Sequence, residues 1–149
     1  MTESTGGGPH VLLVEDNPGD VRLVEEAFRD GETGARLHAV SDGRAALDVL
    51  RGRGEHADAP RPDLVLLDLN LPRVNGEDVL AELKDDPDLR TVPVVVLTSS
   101  RDRADVVRAY ERHANAYMTK PVDPAEFIES IRAVERFWLG IAEVPDRPD

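Results

Sequence analysis

The sequence predicts an α/β fold built on a doubly wound, five-stranded parallel sheet. Short runs rich in valine and leucine alternate with longer segments whose apolar residues recur at helical spacing. Runs of this length and composition are typical of fully buried parallel strands. Five strand–helix alternations follow one another along the chain, and their connections are short enough for right-handed crossovers.

The N-terminal half is predicted to contain three strands and two helices. The strands are short runs bounded by turn-forming residues, and they cover residues 10–14, 36–40 and 63–67. The first helix begins in the breaker sequence 17–20 and ends at the glycines of segment 31–34. The second helix is capped by residues 41–43, and a polar loop over residues 52–62 follows it.

The C-terminal half is predicted to contain two strands and three helices. The strands cover residues 93–97 and 116–118. One helix follows Gly76 and stops before Pro87, and a weakly apolar fourth helix covers residues 103–112. The fifth helix opens at Pro124, because proline is favoured in the first turn of a helix. Most apolar residues of this last helix step by three or four, as an amphipathic helix requires.

One domain over residues 10–142 accounts for most of the 149 residues. The glycine-rich segment 1–9 is expected to be disordered, and the proline- and aspartate-rich tail 143–149 to be flexible. Because this leaves no room for a DNA-binding or enzymatic output module, output through protein contacts is expected. No apolar stretch approaches the ~20 residues that span a bilayer, and no signal peptide is recognisable, so we expect a cytoplasmic location.

The chain is strongly acidic, with a formal net charge of -12. This charge argues against DNA, RNA or an anionic membrane as a partner. Lysine occurs only at positions 84 and 120, so arginine supplies 16 of the 18 basic residues. A GC-rich genome would explain the arginine, but adaptation to high salt also explains the acid excess, and we favour it. The absence of cysteine excludes disulfides, thiolate metal sites and cysteine nucleophiles.

Reactive polar residues follow four of the five predicted strands. Glu15 and Asp16 follow the first strand, Asp68 the third, Thr98 the fourth and Lys120 the fifth. In an open parallel sheet the active crevice lies outside the carboxyl ends of the strands, so these side chains should converge. Three carboxylates this close repel one another and favour a divalent cation. A lysine beside them would suit a phosphoryl oxygen.

This constellation resembles the receiver domain of two-component response regulators. The matching residues, each at a strand end, are Glu15-Asp16, Asp68, Thr98 and Lys120-Pro121. A narrower similarity, to stand-alone regulators that partner phytochrome-type sensor kinases, is carried by residues 16–21, 71–76, 114–117 and 137–139. The resemblance runs from about residue 11 to residue 138, and it implies a flavodoxin-like sheet with the strand order 2-1-3-4-5.

The resemblance also implies a metal site and a phosphoacceptor. Asp68 would accept a phosphoryl group from the histidine of a sensor kinase. Asp16, Asp68 and the backbone carbonyl of Asn70 would hold Mg²⁺, and Glu15 would act mainly through bound water. Lys120 would reach the acids through a cis peptide bond to Pro121.

A conformational switch is the next implication of the resemblance. Thr98 would donate its hydroxyl to a phosphoryl oxygen on Asp68 and move inward. Tyr117, at the aromatic position that changes rotamer in the family, would fill the vacated space. This would shift a two-state population and change the surface of helix 4, strand 5 and helix 5.

The partners implied are a sensor histidine kinase and a downstream protein or histidine phosphotransfer protein. The helix after Asp20 would be the kinase-docking face. A homodimer through helix 4, strand 5 and helix 5 is also implied by the narrower similarity. Phe137 and Trp138 point about 100° apart on a helix and cannot both face inward equally, so one of them is a candidate for that dimer surface.

Each site residue also has an ordinary structural explanation. Asp68 alone fits a turn cap equally well, Thr98 fits strand propensity, and Lys120 fits a structural ion pair with Asp68. The metal interpretation is preferred for the acids because Glu15 and Asp16 lie alongside Asp68. Unpaired acids packed at one sheet edge would cost stability without a cation.

The favoured function is a phosphoacceptor that is not an enzyme and only assists its own phosphotransfer and dephosphorylation. Two other functions stay open. A Mg²⁺-dependent phosphohydrolase would also form an aspartyl phosphate, but haloacid dehalogenase-type enzymes usually carry a second aspartate where this chain has Asn70. A receiver used only as an interaction module, without phosphorylation, is the other possibility. The full set of matching site residues argues against it.

Overall fold

The computed structural model describes residues 8–29, 33–54, 58, 60–69, 71, 76–98 and 114–141. Its five strands are β1 (His10–Val14), β2 (Arg36–Val40), β3 (Leu64–Asp68), β4 (Val94–Thr98) and β5 (Ala116–Thr119). All neighbouring strands are parallel, and the order is β2-β1-β3-β4-β5. The predicted fold class and strand order are therefore confirmed.

The described helices are α1 (Pro18–Arg29), α2 (Gly43–Arg51), α3 (Gly76–Asp85) and a C-terminal helix (Pro124–Glu135) that continues as a π-helical segment, Arg136–Ile141. The predicted fourth helix over residues 103–112 lies outside the described residues. So do the tail 143–149 and all but two residues of segment 1–9. No helix among the described residues is long and apolar enough to cross a membrane.

Local chemistry explains where the best-defined helices begin and end. The side chain of Asp42 caps α2 by accepting a hydrogen bond from the Ala45 amide. Gly52 ends the same helix in the left-handed conformation, with φ of 63°, which glycine adopts without steric cost. Asp123 caps the C-terminal helix, and Pro124 occupies its first turn as predicted.

The core lies on both faces of the sheet. Strands β3 and β4 are buried along their whole length. Because side chains alternate across a strand, Leu12 packs with α2 and α3 on one face, while Leu13 packs with α1 and the C-terminal helix on the other. The helices on both faces fix the carboxyl ends of β1, β3 and β4 relative to one another.

Three strands differ from the prediction by one residue, and one of them is β5, which ends at Thr119 rather than at residue 118. The sequence predicts residues 63–67 and 93–97, whereas β3 and β4 begin and end one residue later. Pro93 has no amide hydrogen and contributes only its carbonyl, which accepts from Val65 at 3.0 Å. The Asp63 amide donates to the His10 carbonyl at 2.7 Å, and the Asp63 side chain accepts from the His10 amide at 2.8 Å. The shift makes Asp68 and Thr98 the last residues of their strands.

Phe137 and Trp138 face different surroundings, as their spacing predicts. Phe137 is 53% exposed, whereas Trp138 packs against the core on the α1 side of the sheet. The two rings meet edge to face, with centroids 5.2 Å apart. Because the predicted fourth helix lies outside the described residues, the homodimer surface stays a prediction.

Candidate functional site

Three carboxylates meet at the carboxyl edge of the sheet. Glu15 and Asp16 follow β1, and Asp68 ends β3, which pairs with β1. One carboxylate oxygen from each residue lies within 4.8 Å of the other two. Glu15 is 2% exposed and Asp68 5%, whereas Asp16 is open to solvent. These hard oxygen donors, close together and partly open, fit a divalent cation.

The backbone around β1 holds the first two carboxylates in place. The Glu15 amide donates to the Val40 carbonyl of β2 at 3.0 Å, so the chain stays in the sheet one residue beyond β1. The Asn17 amide donates to Glu15 Oε1 at 3.2 Å. The Asn17 side chain in turn accepts from the Gly19 amide at 2.9 Å and opens α1. Asp16 is thereby presented at the mouth of the site.

Lys120 lies at the centre of this acidic group. Its backbone amide donates to the Thr98 carbonyl at 2.8 Å, which fixes the residue at the end of β5. Its ammonium donates to Glu15 Oε2 at 2.5 Å, Asp20 Oδ2 at 2.9 Å and Asp68 Oδ2 at 3.2 Å. An ammonium has three donors, and all three are used on carboxylates.

In the electrostatics of the site, one lysine ammonium is shared among several carboxylates. Burial raises the pKa of Glu15 to about 7; the Lys120 hydrogen bond opposes this shift, and Asp68 adds to it. For Lys120, burial lowers the pKa, but hydrogen bonds to Glu15 and Asp20 and the charge of Asp68 outweigh burial and raise it. One lysine does not balance four carboxylates, so the site retains a demand for positive charge.

The structure brings Thr98 to the same edge of the sheet. Thr98 is buried as the last residue of β4, the strand beside β3, and Asp68 stands in register with Leu97. Tyr117 lies opposite Val96 in β5 and packs, half-buried, on the core under α2 and α3. Asn70, the predicted carbonyl ligand, lies outside the described residues.

A glycine allows α3 to start directly against the end of β3. The Gly76 amide donates to the Leu69 carbonyl at 3.0 Å. A Cβ on Gly76 would lie 2.3 Å from the Asp68 carbonyl oxygen and 2.5 Å from the Leu69 Cα. Since both neighbours are backbone atoms, no side chain fits here without moving Asp68.

Two features of the site differ from what the sequence suggests. Asp20, which the sequence predicts only as part of the breaker 17–20 that starts the first helix, contributes a carboxylate to Lys120. Its signal is its place in the first turn of α1, which starts at the same sheet edge.

The bond between Lys120 and Pro121 is trans, not cis as the resemblance implies. Trans is the more stable isomer of most such bonds, and the ammonium reaches the acids from it.

The comparisons with known proteins agree with this geometry. A family model described as the response regulator receiver domain matches residues 11–132. Response regulator Rcp1 of Synechocystis sp. is 41% identical over 145 residues, 97% of this chain and 99% of that protein. The polar-differentiation response regulator DivK of Brucella anthropi is 36% identical over 132 residues, 89% of this chain and 97% of DivK.

Two solved structures are similar over nearly their whole length. The phosphorylated cyanobacterial phytochrome response regulator RcpA has a TM-score of 0.90 and 42% identity, covering 93% of this chain and 99% of RcpA. The Mn²⁺-bound form of Rcp1 has a TM-score of 0.88 and 43% identity, with the same coverage. Both the broad resemblance and the narrower one to phytochrome regulators are confirmed, and the chain belongs to the response regulator receiver domain family.

Proposed function

We propose that Asp68 is the phosphoacceptor of this response regulator and takes its phosphoryl group from a phosphohistidine of a sensor histidine kinase. The observation that carries the proposal is the Lys120 ammonium, which contacts Asp68 and Glu15 inside an acidic group. A carboxylate attacks phosphorus well only where the charge of the transferring group is neutralised. This sheet edge offers that neutralisation beside a buried carboxylate.

The proposed transfer forms one bond and breaks one. An oxygen of Asp68 attacks phosphorus, an acyl phosphate forms, and the phosphorus–nitrogen bond to the donor histidine breaks. The departing nitrogen carries away the bonding electron pair. Lys120 exchanges its contact with the Asp68 oxygen for one with a phosphoryl oxygen as negative charge gathers there. Thr98 donates its hydroxyl to another oxygen of the same group.

The proposed cofactor is Mg²⁺, held by Asp16, Asp68 and the carbonyl of Asn70. When bound it would supply charge neutralisation at the phosphoryl oxygens. The oxygen-only donor set and the 4.8 Å grouping support a small hard cation. The similar Rcp1 has been solved in a Mn²⁺-bound form. Glu15 would act mainly through bound water once the cation is present.

The proposed output is a change of protein contacts. Thr98 moves toward the phosphoryl group, and Tyr117 takes up the space beneath the surface of β5 and the C-terminal helix. We propose that α1 docks the kinase and that a downstream protein or histidine phosphotransfer protein reads the phosphorylated form. We also propose a homodimer through the predicted helix 4, β5 and the C-terminal helix. Phytochrome-type regulators among the similar proteins support a kinase of that class.

The proposed setting is the cytoplasm of a cell adapted to high salt, with a receiver spanning residues 10–142 and no DNA partner. The net charge of -12 and the near absence of lysine support this setting. The protein assists its own phosphotransfer and dephosphorylation and turns over no separate substrate.

Intact-mass measurement after incubation with acetyl phosphate tests the proposal. Wild type, Asp68→Asn and the matched control Asp85→Asn, an exposed residue at the end of α3, are treated with and without Mg²⁺ in high salt. The expected result is one Mg²⁺-dependent phosphoryl adduct on wild type and control only. An adduct on Asp68→Asn, or none on any protein, contradicts it. Turnover of p-nitrophenyl phosphate would instead favour the phosphohydrolase.

A further inference from the structure

We propose that Asp20 is a positioning residue that holds Lys120 in place while the acid group engages a divalent cation and a phosphoryl group. The inference rests on the proposed function, because the positioned ammonium serves the phosphorylation of Asp68. It concerns a residue outside the set of cation ligands and acceptor. The contacts of Lys120 carry it.

The three anchors of Lys120 differ in what else they can bind. Glu15 and Asp68 belong to the group whose oxygens lie within 4.8 Å of one another and could hold a cation. Asp20 does not belong to it, although its Oδ2 lies 2.9 Å from the ammonium. A cation drawing on Glu15 and Asp68 therefore competes with Lys120 for two of its partners. The Asp20 contact is the one that this competition leaves intact.

The location of Asp20 suits it to this task. It lies in the first turn of α1, where negative charge is favoured by the helix dipole, and its side chain is 26% exposed. Lys120 follows β5, so their ion pair joins two elements 100 residues apart in sequence. Because the Lys120 side chain is only 9% exposed, water cannot readily replace the lost carboxylate partners. Without Asp20, the ammonium could move with Glu15 and would no longer be held beside Asp68.

Asp20 has a second proposed role after Asp68 is phosphorylated. The ammonium has three donors, and a phosphoryl oxygen can take one only when another acceptor is released. The Asp68 contact, at 3.2 Å the longest of the three, is the one that the phosphoryl oxygen replaces. Asp20 keeps its hydrogen bond to the ammonium, so that Lys120 bridges α1 and the acyl phosphate. Docking at α1 and the phosphoryl state would be coupled through this bridge.

The test compares Asp20→Ala and Asp20→Asn with wild type and with Glu25→Gln. Glu25 is an exposed acid on the same helix and makes no contact with Lys120, so it controls for the change in charge. Phosphorylation rates are measured over a range of acetyl phosphate concentrations, and Mg²⁺ affinity is measured separately. Lysine-selective ¹³C labelling follows Lys120 directly, because the chain has only one other lysine.

We expect Asp20→Ala to lower the maximal phosphorylation rate about tenfold while Mg²⁺ affinity changes less than about threefold. Asp20→Asn should recover part of the rate, because its amide oxygen still accepts a hydrogen bond. The Lys120 side chain should move more freely in Mg²⁺-loaded Asp20→Ala, before any phosphodonor is added. The linewidth of its ¹³C resonance should therefore be narrower in Asp20→Ala than in wild type, and unchanged in Glu25→Gln.

Two results would overturn the inference. One is a rate for Asp20→Ala equal to that of Glu25→Gln. The other is an identical Lys120 signal in Mg²⁺-loaded wild type and Asp20→Ala. The second readout needs no phosphorylation, so it judges Asp20 even if wild type accepts no phosphoryl group, a result that would count against the proposed function alone.

Discussion

The only two lysines of the chain occupy opposite edges of the sheet and meet opposite surroundings. Lys120, at the carboxyl edge, donates to three carboxylates. Lys84, at the end of α3, also makes three hydrogen bonds, to the carbonyls of Arg90 and Val92 at 3.0 and 2.9 Å and to Asn115 Oδ1 at 3.1 Å. Every acceptor of Lys84 is neutral. The two ammonium groups are equally well bonded and differ in the charge around them.

This difference is the basis for proposing a chemical role for Lys120 and a structural role for Lys84. Burial lowers the pKa of Lys84 to about 8, and no carboxylate among the described residues compensates. For Lys120 the carboxylates more than compensate for burial, and its pKa is raised. Asn115 also accepts from the Val94 amide at 2.8 Å, so Lys84 joins α3 to the starts of β4 and β5. Both lysines are partly buried, so burial does not distinguish them; the charge of their acceptors does.

The largest expected effect separates the two lysines by phosphorylation rate. Lys120→Met should slow phosphorylation by acetyl phosphate about 100-fold, because it removes a donor aimed at developing charge. Lys84→Met should stay within about threefold of wild type, since Lys84 lies at the other sheet edge. Intact mass over time measures both rates. Similar losses in the two variants would remove the functional distinction.

The next effect concerns stability without a divalent cation. Lys120→Met leaves Glu15, Asp20 and Asp68 facing one another, which should cost on the order of 3 kcal/mol in the free energy of unfolding. Saturating Mg²⁺ should restore most of that loss, because a cation replaces the missing charge. Lys84→Met should cost about 1–3 kcal/mol through unpaired carbonyls, with no Mg²⁺ rescue. Urea unfolding with Mg²⁺ or chelator distinguishes these cases.

A smaller effect concerns alkaline pH. The folded-state pKa of Lys84 is about 8, against an ordinary value of 10.5, so between these values the unfolded chain binds more protons. The stability advantage of wild type over Lys84→Met should therefore grow as pH rises through that window.

The pKa of Lys120 is raised, so its contribution to stability is complete below 10.5 and is lost only above it. The protonation of Lys120 itself should therefore add no slope over the same window. The loss of Lys120 raises the pKa of Glu15 further, so the advantage over Lys120→Met should rise just above pH 7 and then level off. Urea midpoints from pH 7 to pH 10 test both slopes, and a Lys84 advantage that shrinks with pH would contradict the assigned sign.

The smallest expected effect comes from making the neutral surroundings of Lys84 charged. Asn115→Asp keeps the acceptor of Lys84 and of the Val94 amide but adds a negative charge. The pKa of Lys84 should rise from about 8 toward its ordinary value. The free energy of unfolding should change by less than about 1 kcal/mol, because the pair is partly exposed. A ¹³C titration of the lysine side chains measures the shift, and an unchanged Lys84 midpoint would contradict it.

The sheet and most of the site follow directly from the sequence. Parallel strands buried on both faces appear in the sequence as plain apolar runs, so the bounds of β1 and β2 are predicted to the residue. Strands β3, β4 and β5 each end one residue later than predicted. The carboxyl ends of such strands share one edge, which is why Glu15, Asp16 and Asp68 could be grouped before any geometry was known. Their grouping needs only strand positions and a sheet order.

The remaining contacts could not be predicted because they depend on side-chain reach between elements. Asp20 reads as an ordinary acid in a helical first turn, and nothing in the sequence gives its distance to Lys120. Lys84 reads as a solvated residue beside a run of acids, yet its ammonium turns toward backbone carbonyls. Long flexible side chains choose partners by local charge and space, which linear patterns do not encode.

The most direct test follows both lysines at once during phosphorylation. Lysine-selective ¹³C labelling gives two side-chain signals, and Lys84→Met assigns them by removing one. Acetyl phosphate is added to the Mg²⁺-loaded protein while intact mass records the adduct. We expect the Lys120 signal to move in proportion to the adduct and the Lys84 signal to stay unchanged. An adduct that forms while Lys120 stays unchanged, or that moves Lys84 as much, would contradict the assignment of the phosphoryl site to this edge of the sheet.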